Sequence, residues 1–142
     1  MLKTLAFITL AALASAACSK TEPANAEVTS TIATVKTISA EDAAQLVDKK
    51  NVTVLDLRTP EEFAEGHIAG ALNINYHDEN FETKIAELDR DASYVFHCHS
   101  GGRSGNTEKL LQRLGFTNAN HMKSGIAGWR EAGLPQSIQS SE

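Results

Sequence analysis

The residues with the most evident chemical potential lie in one short loop, which reads Cys-His-Ser-Gly-Gly-Arg-Ser over residues 98–104. An apolar run precedes this loop and a helical pattern follows it, so the loop is predicted to join a strand to a helix. Backbone N–H groups of such a glycine-rich turn, and of the first helical turn, form a site for anions. A thiol placed there, with Arg103 nearby, is expected to ionise well below the usual cysteine pKa of about 8.5. The pattern therefore predicts a thiolate nucleophile at Cys98.

Five further residues of the loop are candidates for holding an anionic substrate. Arg103 presents a planar fork of donors that suits a multi-oxygen anion, and cations are otherwise disfavoured at a helix N-terminus. Gly101 and Gly102 are expected to let the backbone curl tightly around the sulfur. Ser100 and Ser104 carry hydroxyl groups that can donate hydrogen bonds to the sulfur, although Ser104 is equally suited to capping the helix.

Histidines flank the candidate nucleophile on both sides. We expect His99 to be exposed and to influence substrate specificity rather than the chemistry. Because neighbouring strand residues point to opposite faces, His97 and His99 cannot easily converge on a metal with Cys98. The other histidines show no recognisable zinc-ligand spacing, and no acidic residue is placed to orient His97 or His99 as in a Cys–His hydrolase. No metal site and no other cofactor is therefore predicted.

The composition bounds the class of protein. The chain has 142 residues and a formal net charge of −5, which argues against nucleic-acid binding and provides no polybasic membrane patch. Besides Cys98, the sequence contains one cysteine, Cys18, which lies next to an apolar N-terminal stretch. A lone thiol in an exported domain is a liability unless it is used, and this again favours a functional Cys98.

The N-terminus has the features of an export signal. A basic start and an apolar stretch too short to span a bilayer predict a signal peptide at residues 1–17. Two alanines before Cys18 resemble the lipobox of bacterial lipoproteins, although Ser15 stands where Leu is usual, and residues 18–32 would form a polar linker or tether. We expect export to the periplasm, with lipidation of Cys18 and membrane anchoring. Cleavage by ordinary signal peptidase is the alternative, and it would leave the protein soluble.

Strand and helix patterns alternate through the remaining chain, which predicts a mostly parallel sheet within one domain at residues 33–137. Strands are expected at residues 33–38, 52–57, 71–74, 93–97 and 118–122, and helices are expected to begin at Ser39, Thr59, Asp78 and Ser104 and near Ile126. Ligands of such sheets lie beyond the carboxyl ends of the strands, which is where Cys98 falls. The residues from Gln136 onwards have little apolar content and are expected to fray, with a tail at residues 138–142.

Four motifs occur in the order found in single-domain rhodaneses, which are sulfurtransferases. They are Asp-Leu-Arg-Thr-Pro-Glu-Glu-Phe at 56–63, Gly-His-Ile-Ala-Gly-Ala-Leu-Asn-Ile at 66–74, the loop at 98–104, and Gly-Phe-Thr-Asn at 115–118 followed by Gly125, Ile126 and Trp129. The chain departs from the pattern at Met122 and Ser124, where Leu and Gly are common. The chain thus resembles a rhodanese of an exported bacterial type. This implies an α/β fold with a mostly parallel five-stranded sheet and helices on both faces.

The resemblance also implies an activity. The Cys98 thiolate would take the outer, sulfane sulfur of thiosulfate or of a related persulfide donor, sulfite would leave, and the resulting persulfide would pass its sulfur to cyanide or a thiol. Arg103 would bind the sulfonate end of thiosulfate. The implied partners are a small-molecule donor and acceptor, and a monomer is expected for a domain of this size.

Other functions compete with sulfur transfer. Thiolate phosphatases of related fold use a Cys-x5-Arg loop, whereas four residues separate Cys98 from Arg103 here, and the shorter loop should fit a phosphate poorly. A phosphatase or oxyanion reductase is therefore the weaker alternative, and a non-enzymatic persulfide carrier or binding module is the other. Arg58 is expected to form a partly buried ion pair with Glu61 or Glu62, and Trp129 to lie in the core or in a cleft wall.

Overall fold

The computed structural model describes residues 33–138. The predicted signal peptide, Cys18, the linker up to residue 32 and residues 139–142 of the predicted tail lie outside this range. Within it, none of the helices is both long enough and apolar enough to cross a bilayer.

Strands and helices alternate along the described chain. The strands are β1 (Val35–Ile38), β2 (Val52–Asp56), β3 (Leu72–Asn73), β4 (Ser93–His97) and β5 (Asn118–Met122). The helices are α1 (Ala40–Val47), α2 (Pro60–Ala64), α3 (Phe81–Ala86), α4 (Gly102–Leu114) and α5 (Gly125–Glu131). All strand pairs are parallel, in the order β1-β5-β4-β2-β3, so the predicted five-stranded parallel sheet is confirmed.

The sheet is covered on both faces, since successive side chains of its central strands are buried on opposite faces. On β4, Tyr94 and Phe96 pack on one face with residues of α3 and α4, whereas Val95 packs on the other face with residues of α1 and α5. Trp129 belongs to the second cluster and is 3% exposed, so it is a core residue. Because β2, β4 and β5 are parallel neighbours, their carboxyl ends lie at the same edge of the sheet.

Two predicted helix starts are confirmed by their caps. Ser39 accepts a hydrogen bond from the N–H of Asp42 at the start of α1. Thr59 and Glu62 form a capping box around Pro60, the first residue of α2. These starts depend on contacts three residues apart, which the sequence specifies directly.

Two other helix starts differ from the predictions. Helix α4 begins at Gly102 rather than Ser104, with Gly101 as its N-cap and no capping side chain. Helix α3 begins at Phe81 after Asn80, and Asp78 accepts a hydrogen bond from the Asn80 N–H at 2.8 Å instead of capping the helix itself. Ser104 therefore lies inside α4, and the cap position of α3 falls to Asn80, whose side chain makes no capping hydrogen bond.

The end of the described chain is held to the domain. Ser137 and His67 exchange backbone hydrogen bonds of 2.8 and 2.9 Å in an antiparallel bridge. Trp129 donates its indole N–H to the carbonyl of Pro135 at 2.9 Å, and Arg130 donates to the side chain of Gln136 at 2.9 Å. The expectation that the chain frays from Gln136 is therefore wrong for Gln136, whose side chain pairs with Arg130, and for Ser137, whose backbone pairs with His67.

Candidate active site

The loop that carries Cys98 is fixed by its backbone at the carboxyl end of β4. The first amides of α5 donate to it, from Ile126 to the carbonyl of Cys98 at 2.9 Å and from Ala127 to that of His99 at 3.0 Å. Gly125 makes this approach possible, since its φ is +62° and a Cβ there would lie 2.3 Å from the His99 carbonyl oxygen. The turn after β5 thus clamps the loop that follows β4.

Of the two loop glycines, one is required by the backbone. Gly101 has a φ of +94°, and a Cβ there would lie 2.1 Å from the carbonyl oxygen of Lys123. Gly102 is already the first residue of α4, and a Cβ there would meet nothing within 4 Å. The prediction that both glycines supply special backbone angles is confirmed for Gly101 and wrong for Gly102.

The Cys98 sulfur is buried and surrounded by donors. The residue is 1% exposed, and its Sγ lies 3.2 Å from the Gly101 nitrogen and 3.4 Å from Ser104 Oγ. Burial by itself would raise the pKa of the thiol. The Ser104 hydroxyl and the backbone N–H groups of Ser104, Gly101 and Ser100 together outweigh burial, so the pKa of Cys98 lies below its ordinary value. The loop therefore stabilises the ionised form of Cys98 relative to a free cysteine.

Arg103 lies beside the thiol, but its guanidinium is paired with a carboxylate from α2. Its two terminal nitrogens lie 2.7 and 2.8 Å from the two oxygens of Glu62, a bidentate contact. Hydrogen bonds from Arg103 lower the pKa of Glu62 to about 2, against burial. Glu62 in turn raises the pKa of Arg103, and the negative charge of Cys98 adds to that rise.

Arg58 has a different partner from the predicted one. It donates to both oxygens of Asp56, the nearest at 2.6 Å, and the two side chains are 1% and 0% exposed. Its remaining donors reach the backbone carbonyls of Glu62 at 2.9 Å and Gly66 at 2.8 Å. The expected pair with the side chain of Glu61 or Glu62 is absent among the described residues, because the chain turns back after β2 and sets Arg58 over Asp56.

The hydroxyl of Ser104 connects the thiol to a histidine on the neighbouring strand. Ser104 Oγ lies 2.8 Å from His121 Nε2, and His121 Nδ1 makes a short contact with a carboxylate oxygen of Glu108. His121 is 2% exposed, and its ring stacks on Phe96 with centroids 5.0 Å apart. A continuous line of polar contacts therefore runs from Glu108 to Cys98.

The two histidines beside Cys98 differ in exposure. The His99 side chain is 53% exposed, as predicted, and its Nδ1 lies 3.9 Å from Glu62. His97 is buried, its Nδ1 lies 3.0 Å from the Cys98 carbonyl oxygen, and its Nε2 has no hydrogen-bond partner. Burial lowers the pKa of His97, against the opposing charge of Asp56, and so favours the neutral ring. Within residues 33–138, no three His, Cys, Asp or Glu side chains are grouped closely enough to bind a metal ion.

A cleft of about 680 Å³ adjoins the loop at Ser100. It runs along the start of α1, from Ser39 to Glu41, and along the turn after β5, where Lys123 and Ser124 line it. This gives the loop an open side on which a small molecule can approach.

The family model of the rhodanese-like domain matches residues 39–132. This range contains the complete loop, with the thiol, the clamp from α5 and the arginine described above. The chain belongs to the rhodanese-like domain family.

Relatives of this rhodanese-like domain include sulfurtransferases. It is 33% identical over 102 residues to a sulfurtransferase of Allochromatium vinosum, covering 71% of this chain and 94% of that protein. It is also 33% identical over 97 residues to the thiosulfate sulfurtransferase GlpE of Shewanella oneidensis, covering 68% and 94%. Its fold is similar to the crystal structure of a rhodanese-related protein of Thermoplasma volcanium, with a TM-score of 0.65, 33% identity and coverage of 73% and 99%.

The rhodanese-like domain brings most of the predicted site residues together. Ser104 contacts the sulfur and does not cap α4, which decides between its two predicted roles. Ser100 is exposed and acts on the thiol through its backbone N–H. Sequence reasoning missed Glu62 as the partner of Arg103, and it missed His121 and Glu108.

A signal for the last two was available. Glu108 follows Ser104 by four residues, so both lie on one face of α4. His121 lies near the carboxyl end of β5, next to β4. From the sequence, no acidic residue is expected to orient His97 or His99. That expectation does not cover His121, which is in contact with the carboxylate of Glu108.

Proposed function

We propose that this rhodanese-like domain is a sulfurtransferase that moves the outer sulfur of thiosulfate, or of a related persulfide donor, to cyanide or a thiol. Cys98 carries the sulfur as a persulfide between the two half-reactions. The observation that carries the proposal is the buried Cys98 thiol at the start of the loop. Hydrogen bonds from the Gly101 N–H and the Ser104 hydroxyl lower its pKa. The names of the sulfurtransferase relatives support the same reaction.

In the first half-reaction, the Cys98 thiolate attacks the outer sulfur of thiosulfate. A new S–S bond forms on Cys98, the S–S bond of thiosulfate breaks, and sulfite leaves with the electron pair. In the second half-reaction, cyanide or a thiolate attacks the outer sulfur of the persulfide, and Cys98 is released as a thiolate. No external oxidant or reductant is needed, because sulfur is passed between nucleophiles.

The surroundings of Cys98 suit a slender, anionic donor. Since the residue is 1% exposed, the reacting end of the donor must be narrow, as a terminal sulfur is. Arg103, with a side chain 20% exposed, offers a guanidinium to the oxygens of the sulfonate end. In the adjoining cleft Lys123 is the cation, and Glu41 and Glu131 also line it, so a donor anion is bound by Arg103 rather than by the cleft.

Turnover with thiosulfate and cyanide tests the proposal, with thiocyanate as the measured product. Replacing the nucleophile in Cys98→Ser should lower kcat/KM by at least about a thousandfold. Intact mass of the protein incubated with thiosulfate should show the gain of one sulfur atom, absent from Cys98→Ser. Cys18→Ser is the matched control, which should keep both turnover and the sulfur adduct.

The alternatives give different outcomes in the same assays. A persulfide carrier would gain the sulfur atom but release at most one thiocyanate per protein molecule. A thiolate phosphatase would hydrolyse p-nitrophenyl phosphate and ignore thiosulfate. Either result, or full turnover by Cys98→Ser, would overturn the proposal.

We also propose that the protein acts outside the cytoplasm as an exported monomer, anchored by a lipid on Cys18. The motif Ala-Ala-Cys at 16–18 and the polar segment after it support this placement. Intact mass of the protein from its native membrane fraction should give a chain that begins at an acylated Cys18. A chain without acylation, cleaved at a nearby alanine, would contradict the anchor and leave export intact.

A further inference from the structure

Ser104 faces more acceptors than its single hydroxyl proton can serve. Its Oγ lies 2.8 Å from His121 Nε2, 3.3 Å from the Gly101 carbonyl oxygen and 3.4 Å from Cys98 Sγ. A serine hydroxyl donates one hydrogen bond and accepts up to two. The direction of the contact with His121 therefore decides whether Ser104 can donate to the sulfur.

When His121 has a bare Nε2, Ser104 must donate its proton to that nitrogen. The serine oxygen can then only accept, which suits a protonated Cys98 thiol. When His121 carries a proton on Nε2, it donates to Ser104, and Ser104 is able to donate to a Cys98 thiolate. Stabilisation of the thiolate by Ser104 thus requires a proton on His121 Nε2.

Glu108 makes this second arrangement favourable. Its carboxylate contacts His121 Nδ1, and a carboxylate can only accept, so this contact is a hydrogen bond when Nδ1 carries the proton. An imidazole protonated on both nitrogens is a cation, and the adjacent carboxylate compensates its charge. His121 is 2% exposed, so bulk water stabilises that cation little and the partner matters more.

We propose that Ser104, His121 and Glu108 form a proton relay for the sulfur of Cys98. The thiol proton moves to Ser104 Oγ as the serine proton moves to His121 Nε2, which leaves a thiolate and an imidazolium without a change in net charge. The proton stays on His121 while Cys98 is a thiolate or a persulfide anion. Ser104 touches the reacting sulfur, and His121 and Glu108 are positioning residues that act through it.

Within residues 33–138, three ionisable groups are placed beside His121 or Ser104. On α4 the group is Glu108, and at the end of β4 the groups are His97 and Cys98. Strand β1 meets His121 at Thr37, which does not titrate. Glu108 stays a carboxylate throughout, so the charges that change within the relay are those of Cys98 and His121.

The relay rests on the proposed role of Cys98 as nucleophile, but its test needs no sulfur donor. The rate at which iodoacetamide alkylates Cys98 is measured against pH, with the Cys98 peptide quantified separately from Cys18. Glu108→Gln should slow alkylation at acidic pH by about tenfold and move the midpoint of the profile up by about one pH unit. Ser104→Ala should produce a similar shift. Glu82→Gln, at an exposed ion pair with Arg113 on the surface, is the matched control and should leave the profile unchanged.

A double variant distinguishes a relay from an effect of charge through space. If Glu108 acts through Ser104, then Glu108→Gln adds no further shift in a Ser104→Ala background. His121→Gln, which keeps an N–H for Ser104 but does not titrate, should retain more reactivity at acidic pH than His121→Phe. Additive shifts of Glu108→Gln and Ser104→Ala, or a Glu108→Gln profile equal to that of Glu82→Gln, would overturn the relay. Neither result would bear on whether Cys98 transfers sulfur.

Discussion

Arg58 and Arg103 each hold a carboxylate with two nitrogens, yet their surroundings differ. The pair of Arg58 with Asp56 is 1% and 0% exposed, and two backbone carbonyls occupy further donors of the guanidinium. The side chains of Arg103 and Glu62 are 20% and 30% exposed, and Arg103 lies beside the candidate nucleophile. One arginine is enclosed and the other is open on the reactive side.

The difference indicates how two ion pairs of the same kind can serve different purposes. Arg58 joins the end of β2 to the carbonyls of Glu62 and Gly66, around α2, so its contacts hold the chain together. A substrate cannot reach this guanidinium. Arg103 is held in position by Glu62, and solvent can reach it, so an incoming anion can share its donors. Saturation and exposure, rather than residue type, separate the supporting arginine from the candidate binding arginine.

The largest effect in this comparison is expected from Arg58→Ala. It leaves the buried carboxylate of Asp56 without its partner, which typically costs about 3–5 kcal/mol of unfolding free energy. Urea denaturation measures the loss. Removing both charges in Asp56→Asn with Arg58→Met should cost less than Arg58→Ala alone. A loss below about 1 kcal/mol for Arg58→Ala would remove the distinction between the two arginines.

Arg103→Ala should affect activity more than stability. Loss of the donors that bind the sulfonate group is expected to lower kcat/KM for thiosulfate about a hundredfold, or about 2.7 kcal/mol. The unfolding free energy should fall by about 1 kcal/mol or less, because the pair is partly exposed and solvent screens its charges. Arg103→Lys keeps the charge without the planar fork, so its kcat/KM should lie between those of the wild type and Arg103→Ala. Unchanged kcat/KM in Arg103→Ala would show that Arg103 does not bind the donor.

Glu62→Gln should have the smallest effect, and it tests what Glu62 contributes to the partly exposed pair with Arg103. Without the carboxylate, Arg103 is available to the donor and the repulsion of a dianion is lost, so KM for thiosulfate should fall about threefold. The unfolding free energy at neutral pH should fall by about 1 kcal/mol. A higher KM would instead mean that Glu62 is needed to orient Arg103.

The stability difference between the wild type and Glu62→Gln should depend on pH in a defined direction. The pKa of Glu62 is lowered from 4.5 to about 2 in the folded chain. The stabilisation by the ionised Glu62 is therefore complete above pH 4.5 and is lost as the pH falls through about 2. Urea denaturation at several pH values measures it. A difference that disappears already near 4.5 would contradict the pairing with Arg103.

Local patterns in the sequence predicted much of the scaffold. The helix start at Thr59 and the bounds of β4 and β5 are as expected. The start of α4 was harder, because Gly101 and Gly102 carry no capping side chain and the turn continues directly into the helix. Contacts within three or four residues are specified by the residues themselves, which is why these parts could be predicted.

The sequence by itself determined the thiol-bearing loop, its place after a buried strand and the alternation that gives a parallel sheet. Tertiary structure decided the partners: Glu62 for Arg103, 41 positions away, and His121 for Ser104, 17 positions away. Such partners depend on the register of β4 against β5 and on the packing of α2 beside α4. Register and packing follow from burial across the whole sheet, which no short segment of the chain contains.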